Sequence, residues 1–153
     1  MESGNYLTCS NAGGIVYETN SSGVEISNCF NCGKMISSGR ISGIAAGILG
    51  TNSGEVTINN CYSIGEVELK TGGGQGIVGS NSGTVTLNKC YYLKTASIPK
   101  AIGSTDDDIT VVTACTSKDE ITADILNDNI DNIEHTDEWK KWKMGEEGYP
   151  IFF

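Results

Sequence analysis

Three segments of this chain superimpose on one another, and nothing else in it restricts the fold as tightly. They read GIVYETNSSGVEISNCFNCG from Gly14, GILGTNSGEVTINNCYSIG from Gly47 and GIVGSNSGTVTLNKCYYLK from Gly76. The opening glycine recurs after 33 and then 29 residues, and the cysteine of each unit (Cys29, Cys61, Cys90) after 32 and then 29. A unit of that length cannot bury an apolar face alone, so the three must stack around one core. Inside each unit the apolar residues alternate (Val24 and Ile26, Val56 and Ile58, Val85 and Leu87), the period-two pattern of a strand with one face inward. Asn20, Asn52 and Asn81 precede Ser and Gly, where an asparagine closes a turn on its own backbone. The expected fold is mainly β: a short right-handed parallel β-solenoid, or β-helix, of about three coils. Its hand is taken from the general preference of parallel crossovers. A β-sandwich with coincidental self-similarity is the rival, and the shared order of strand, turn and cysteine disfavours it.

Composition divides the chain. Seventeen of its 20 glycines lie in residues 1–92, whereas 13 of its 19 acidic residues lie in 95–153. Residues 1–94 are therefore assigned to the repeats, and residues 95–153 to a small α/β segment that caps the open end of the stack. In that segment Ser117 and Glu120 have capping-box spacing, and Ile121, Ile125 and Leu126 share a helical face, which predicts a helix of two to three turns. A terminal strand over Tyr149–Phe153 follows. Ten basic residues, unclustered in a chain of net charge -9, leave no footprint for a phosphate backbone, so nucleic acid is not an expected partner. No apolar run is long enough to insert in a membrane, and the first 20 residues lack a signal-peptide pattern. Either a cytosolic protein or a piece whose targeting segment lies elsewhere fits that start.

Six cysteines invite a disulfide framework, and Cys29-Phe-Asn-Cys32 a redox or zinc motif. Equivalent cysteines in stacked strands lie about 4.8 Å apart and point the same way, whereas a disulfide needs Cβ atoms nearer about 3.8 Å. Buried free thiols are expected at Cys29, Cys61 and Cys90, with Cys32 an apolar filler aligned with Ile64 and Leu93. Disulfides through Cys9 or Cys115 stay open, and no metal site is expected, because the chain has no second CxxC and no histidine pair.

At GIVGSNSGTVTLNKCYYLK the sequence resembles the GLUG-motif repeat family, whose units run roughly Gly-Gly-Ile-Val-Gly, a polar turn, then Asn-Cys-Tyr. The likeness spans residues 13 to 94 and extends to the tail: Ala101-Ile-Gly103, a short helix with Leu126-Asn127, a Trp, and Gly148-Tyr-Pro-Ile151. Tyr17, where the family favours glycine, and Lys89, where the other units carry Asn28 and Asn60, are departures. The resemblance implies a bacterial cell-surface or secreted protein, hence an extracellular or surface location, with a host protein, matrix protein or glycan as partner. The family includes adhesin-like proteins and some immunoglobulin A-cleaving metallopeptidases.

The sequence offers little chemistry. It has no HExxH, so the metallopeptidase residues are absent, and no enzyme activity and no cofactor are expected. His135 stands among acids with no nucleophile turn to serve, Asp106-Asp107-Asp108 lacks EF-hand spacing, and Gly72-Gly73-Gly74 reads as a tight turn. Glu66 and Glu68 fall on one side of a strand without a third acid, which makes a polysaccharide-cleaving β-helix the least favoured function. Binding has better candidates. Phe30, Tyr62 and Tyr91 are equivalent and form a ladder that is core if inward and a platform for sugar rings if outward. Trp139 and Trp142 could share that task, although sealing the end of the stack suits them and the nearby Phe152 and Phe153 better. A structural or adhesion module is the leading expectation, and a carbohydrate-binding module using Tyr62, Tyr91, Trp139 and Trp142 the alternative.

Overall fold

The structure, a computed structural model, describes residues 6–9, 11–37, 43–69, 74–103, 112–132 and 139–153. It is mainly β, and its sheets are assembled from parallel strands contributed by successive repeat units. One sheet joins Tyr6–Cys9, Lys34–Ser37 and Val67–Leu69; a second joins Val24–Ser27, Glu55–Asn59 and Thr84–Asn88. A third runs through Phe30–Asn31, Tyr62–Ser63, Cys90–Leu93 and Val112–Cys115. The largest combines Asn11–Gly13, Val16–Thr19, Ile44–Ala46, Leu49–Asn52, Gln75–Asn81 and Lys100–Ile102. Register follows the sequence repeat: Val24 pairs with Val56 and Val56 with Val85, while Phe30 pairs with Tyr62 and Tyr62 with Tyr91. Lys100–Ile102 and Val112–Cys115 continue these ladders, so regular pairing runs on past residue 94.

The opening glycines are required by how closely the units approach. A Cβ on Gly14 would sit 2.0 Å from the carbonyl oxygen of Gly47, one on Gly47 2.3 Å from that of Gly76, and one on Gly76 2.3 Å from the ring of Tyr92. The corner between the second and third sheets is left-handed in every unit, with φ of 52° at Asn28, 47° at Asn60 and 53° at Lys89. Asparagine tolerates that region and lysine does not, so the sequence departure at Lys89 lies on a strained backbone. The other departure is unstrained. Gly50 and Gly79 are glycine because a Cβ on either would meet the preceding unit's carbonyl oxygen at 2.5 Å, whereas Tyr17 has no described strand on that side and is exposed.

The core is built from columns. Ile26, Ile58 and Leu87 form one, Cys61 and Cys90 with half-buried Cys29 another, and Ile48 and Ile77, both fully buried, a third. Ile15 belongs to the same column and, at its end among the described residues, is 42% exposed. Asn52 and Asn81 make the expected turns, each Oδ1 accepting from the glycine N–H two residues on at 3.2 Å. Asn20 is not their equivalent: Thr19 pairs with Asn52, and the first unit carries one residue more in its turn.

The capping box at Ser117 and Glu120 is present, but it caps a single 3-10 turn, Lys118–Glu120. Ile121 then reverts to extended backbone to bury its side chain, and Thr122 caps the α-helix Ala123–Asp131 through a bond from the Ile125 N–H. The buried face is Ala123, Leu126, Asn129 and Ile130; Ile125, expected on it, is exposed. The tail ends in an antiparallel pair, Trp142–Met144 with Pro150–Phe152. His135, Asp106-Asp107-Asp108, Gly72 and Gly73 lie outside the described residues.

Position within a column sets the cost of truncation. Ile48→Ala is expected to lower unfolding free energy by about 2–5 kcal/mol in urea titrations, while Ile15→Ala, at the exposed column end, costs under about 1 kcal/mol. Lys89→Asn is expected to raise the melting temperature, gaining about 1 kcal/mol by relieving the left-handed corner.

Candidate functional site

Outward positions of the third sheet carry the aromatic column. Alternation sends Cys61, Cys90 and Tyr92 into the core and Phe30, Tyr62 and Tyr91 to the opposite face. The Phe30 and Tyr62 rings stack with centroids 5.4 Å apart and planes 15° from parallel. A bare column of this kind would suit a sugar, but this one is covered. Trp142 packs edge-on to Phe30 at 5.8 Å and tilted to Tyr62 at 5.6 Å, and Phe152 lies 4.2 Å from Trp142. Ile121, Leu126 and Ile130 complete an apolar cluster with Tyr62, Tyr91 and Cys115. Tyr62 is fully buried, and its hydroxyl donates to the Pro150 carbonyl.

The described part of the tail packs on the outward face of the third sheet, against Phe30, Tyr62 and Tyr91. The reason is energetic: the outward aromatic column is a large apolar surface, and the helix brings an apolar face of Leu126 and Ile130 to it. Tyr62, Tyr91 and Trp142 are buried by that packing, so no sugar reaches their ring faces, and Trp139 remains half-buried at the edge of the same cluster.

A buried polar network fixes the tail in place. Asn60 Nδ2 donates to Asn28 Oδ1 at 2.9 Å and to the Leu126 carbonyl at 3.2 Å. Asn129 Nδ2 donates to Asn60 Oδ1 and to the Tyr91 hydroxyl, both at 3.0 Å. Trp142 Nε1 donates to Asn28 Oδ1 at 2.8 Å, and Asn28 Nδ2 to the Lys140 carbonyl at 3.0 Å. Asn127 pairs with the Trp142 backbone through both of its amide atoms. Burying amides is costly unless each finds partners, and here the left-handed asparagines and the helix satisfy one another. Asn129 is not marked by the sequence, and Asn127 enters it only as part of the family-like Leu126-Asn127 pair, because a polar residue on a predicted helix carries no sign of facing a sheet.

Charged side chains among the described residues pair at the surface. Lys34 bridges Glu66 at 3.4 Å and Glu68 at 2.8 Å, all three exposed, and hydrogen bonding within the pair holds Glu68 below and Lys34 above their ordinary values. These residues rim a shallow groove of about 360 Å³ with Ile64, Leu93 and Ile98. Glu25 accepts from Asn59 at 3.1 Å and from Ser27, so its carboxylate is occupied within its own sheet. Among the described residues no three His, Cys, Asp or Glu side chains converge on a metal position, and no helix is long and apolar enough to cross a membrane.

The thiols are free at Cys29, Cys32, Cys61, Cys90 and Cys115; the side chain of Cys9 lies outside those described. Cys32 is exposed rather than a filler, since it occupies the end of the column that Ile64 and Leu93 continue. Burial raises three thiols, Cys61 well above its ordinary value, Cys90 to about 12 and Cys115 to about 11, whereas the hydrogen bond with Cys61 lowers Cys29 to about 7. No family model matches the chain, no curated protein matches it, and no solved structure matches its fold.

Two outcomes follow from this burial. Ellman's reagent is expected to label Cys32 in the native protein at least about 100-fold faster than Cys61 or Cys90, which react only on unfolding. For Cys61, Cys90 and Cys115 the unfolded chain loses the proton near pH 8.5 and the folded chain keeps it, so the contribution of these three thiols is intact below that pH. It then falls toward pH 11–12 by about 1.4 kcal/mol per unit for each such thiol, as urea midpoints at pH 8 and 10 will report.

Proposed function

We propose that the chain is a non-catalytic structural or adhesion module of a bacterial cell-surface or secreted protein, a short right-handed parallel β-solenoid whose tail packs along its side. The parallel register, advancing 29 to 33 residues from unit to unit, supports the solenoid. The resemblance of residues 13 to 94 and of the tail to GLUG-motif repeats supports the location. The observation that carries the function is the covered aromatic column: the surface best suited to a ligand is occupied by the chain's own Trp142, Phe152 and Leu126. A rigid body whose largest apolar face is satisfied internally serves as a spacer, or presents its polar sheet faces as a contact surface.

Carbohydrate binding is the second reading, and half-buried Trp139 is the aromatic that favours it. A screen of the full chain against glycans and host-matrix proteins separates the two. The spacer reading expects no glycan hit above a denatured control. A reproducible hit that Trp139→Ala abolishes at unchanged melting temperature replaces it with the binding-module reading, and polysaccharide cleavage by the purified chain overturns both.

A further inference from the structure

The first repeat unit departs from the others at one turn, and the departure frees one side chain. Asn52 and Asn81 share a column in which Asn52 Nδ2 donates to Asn81 Oδ1 at 2.8 Å. Thr19, not Asn20, continues that column, because residues 20–23 span what 53–55 span in the second unit. Asn20 is displaced outward. Residues 20–23 are all exposed, and a Cβ added to Gly23 would meet nothing within 4 Å. The turn is nevertheless anchored, since the Glu55 N–H donates to the Ser21 carbonyl at 3.0 Å. Ser21 Oγ donates to Asn20 Oδ1 at 3.4 Å, and Asn20 Nδ2 meets no acceptor among the described residues.

Asn20-Ser21-Ser22 is also the chain's single Asn-x-Ser/Thr triplet; Asn52 and Asn81 are followed at the second position by Gly54 and Gly83. We infer that Asn20 is an acceptor for N-linked glycosylation. The donor is an oligosaccharide carried on a lipid pyrophosphate. Asn20 Nδ2 forms the new bond to C1 of the first sugar, the C1–O bond to pyrophosphate breaks, the lipid pyrophosphate leaves, and the amide proton passes to a base of the transferase. The repeat explains why one asparagine of three is open: the other two amides are held in their ladder, and a sugar there would break it. Modification in the cell rests on the exported location proposed above; acceptance by the chain itself does not.

The test uses purified oligosaccharyltransferase and its lipid-linked donor on the unmodified full chain, read by intact mass and peptide mapping, with a peptide of residues 16–26 in parallel. The inference expects one oligosaccharide on the chain at Asn20, lost in both Asn20→Gln and Ser22→Ala, with the melting temperature of Asn20→Gln unchanged. Modification of the peptide but not the chain overturns it by showing that the folded turn is closed. An added mass that survives Asn20→Gln, or no transfer to either substrate, overturns it as well. Because nothing in this reaction requires secretion, its failure is distinguishable from failure of the exported location.

Discussion

Backbone packed directly on backbone is the constraint from which the rest of this structure follows. At Gly14 and Gly47 the carbonyl oxygen of the next unit occupies the space a Cβ would take. Such contact forces successive units into one register, and register in turn aligns like residues into columns. A column repeats whatever its position holds. Inward positions repeat aliphatic groups and thiols, which pack without polar debt; the Asn52 and Asn81 column repeats amides, which bond one another along the stack.

The left-handed corner shows how a local backbone requirement becomes a long-range attachment. Asn28 and Asn60 take positive φ at modest cost, and their amides then face the side of the stack. There they meet Leu126, Asn129, Lys140 and Trp142, residues more than 60 positions away in sequence. Lys89 makes the same corner but cannot supply the same pair of donor and acceptor, and it stays exposed. The attachment is therefore made by the first two units and by the Tyr91 hydroxyl of the third.

What could be read from sequence was what repeats. The strand alternation, the inward cysteines, the equivalence of the aromatics and the asparagine turns all follow from periodicity, and the structure shows them at Cys61, Tyr62 and Asn52; that the aromatics face outward was left open. Single events were harder. The extra residue beside Asn20 moves a register by one without altering composition, and Cys32 is exposed only because it ends its column. The helix start shifted from Ser117 to Thr122 because Ile121 gains more from burial than from continuing the turn. Where the tail would lie was not legible at all, since a helix face and an aromatic column match through side chains remote in sequence. Of the aromatics named as sugar-binding candidates, Tyr62 packs against Trp142, and Tyr91 is bonded by Asn129.

A stack of repeats with only nearest-neighbour contacts melts from its ends, one unit at a time. Here the tail touches Phe30 and Asn28 in the first unit, Tyr62 and Asn60 in the second and Tyr91 in the third. Fraying of any one of these units must then also break its contacts with the tail. The lateral helix and hairpin thus tie each of the three units to one shared element as well as to its neighbours, a brace laid across the repeats rather than between them.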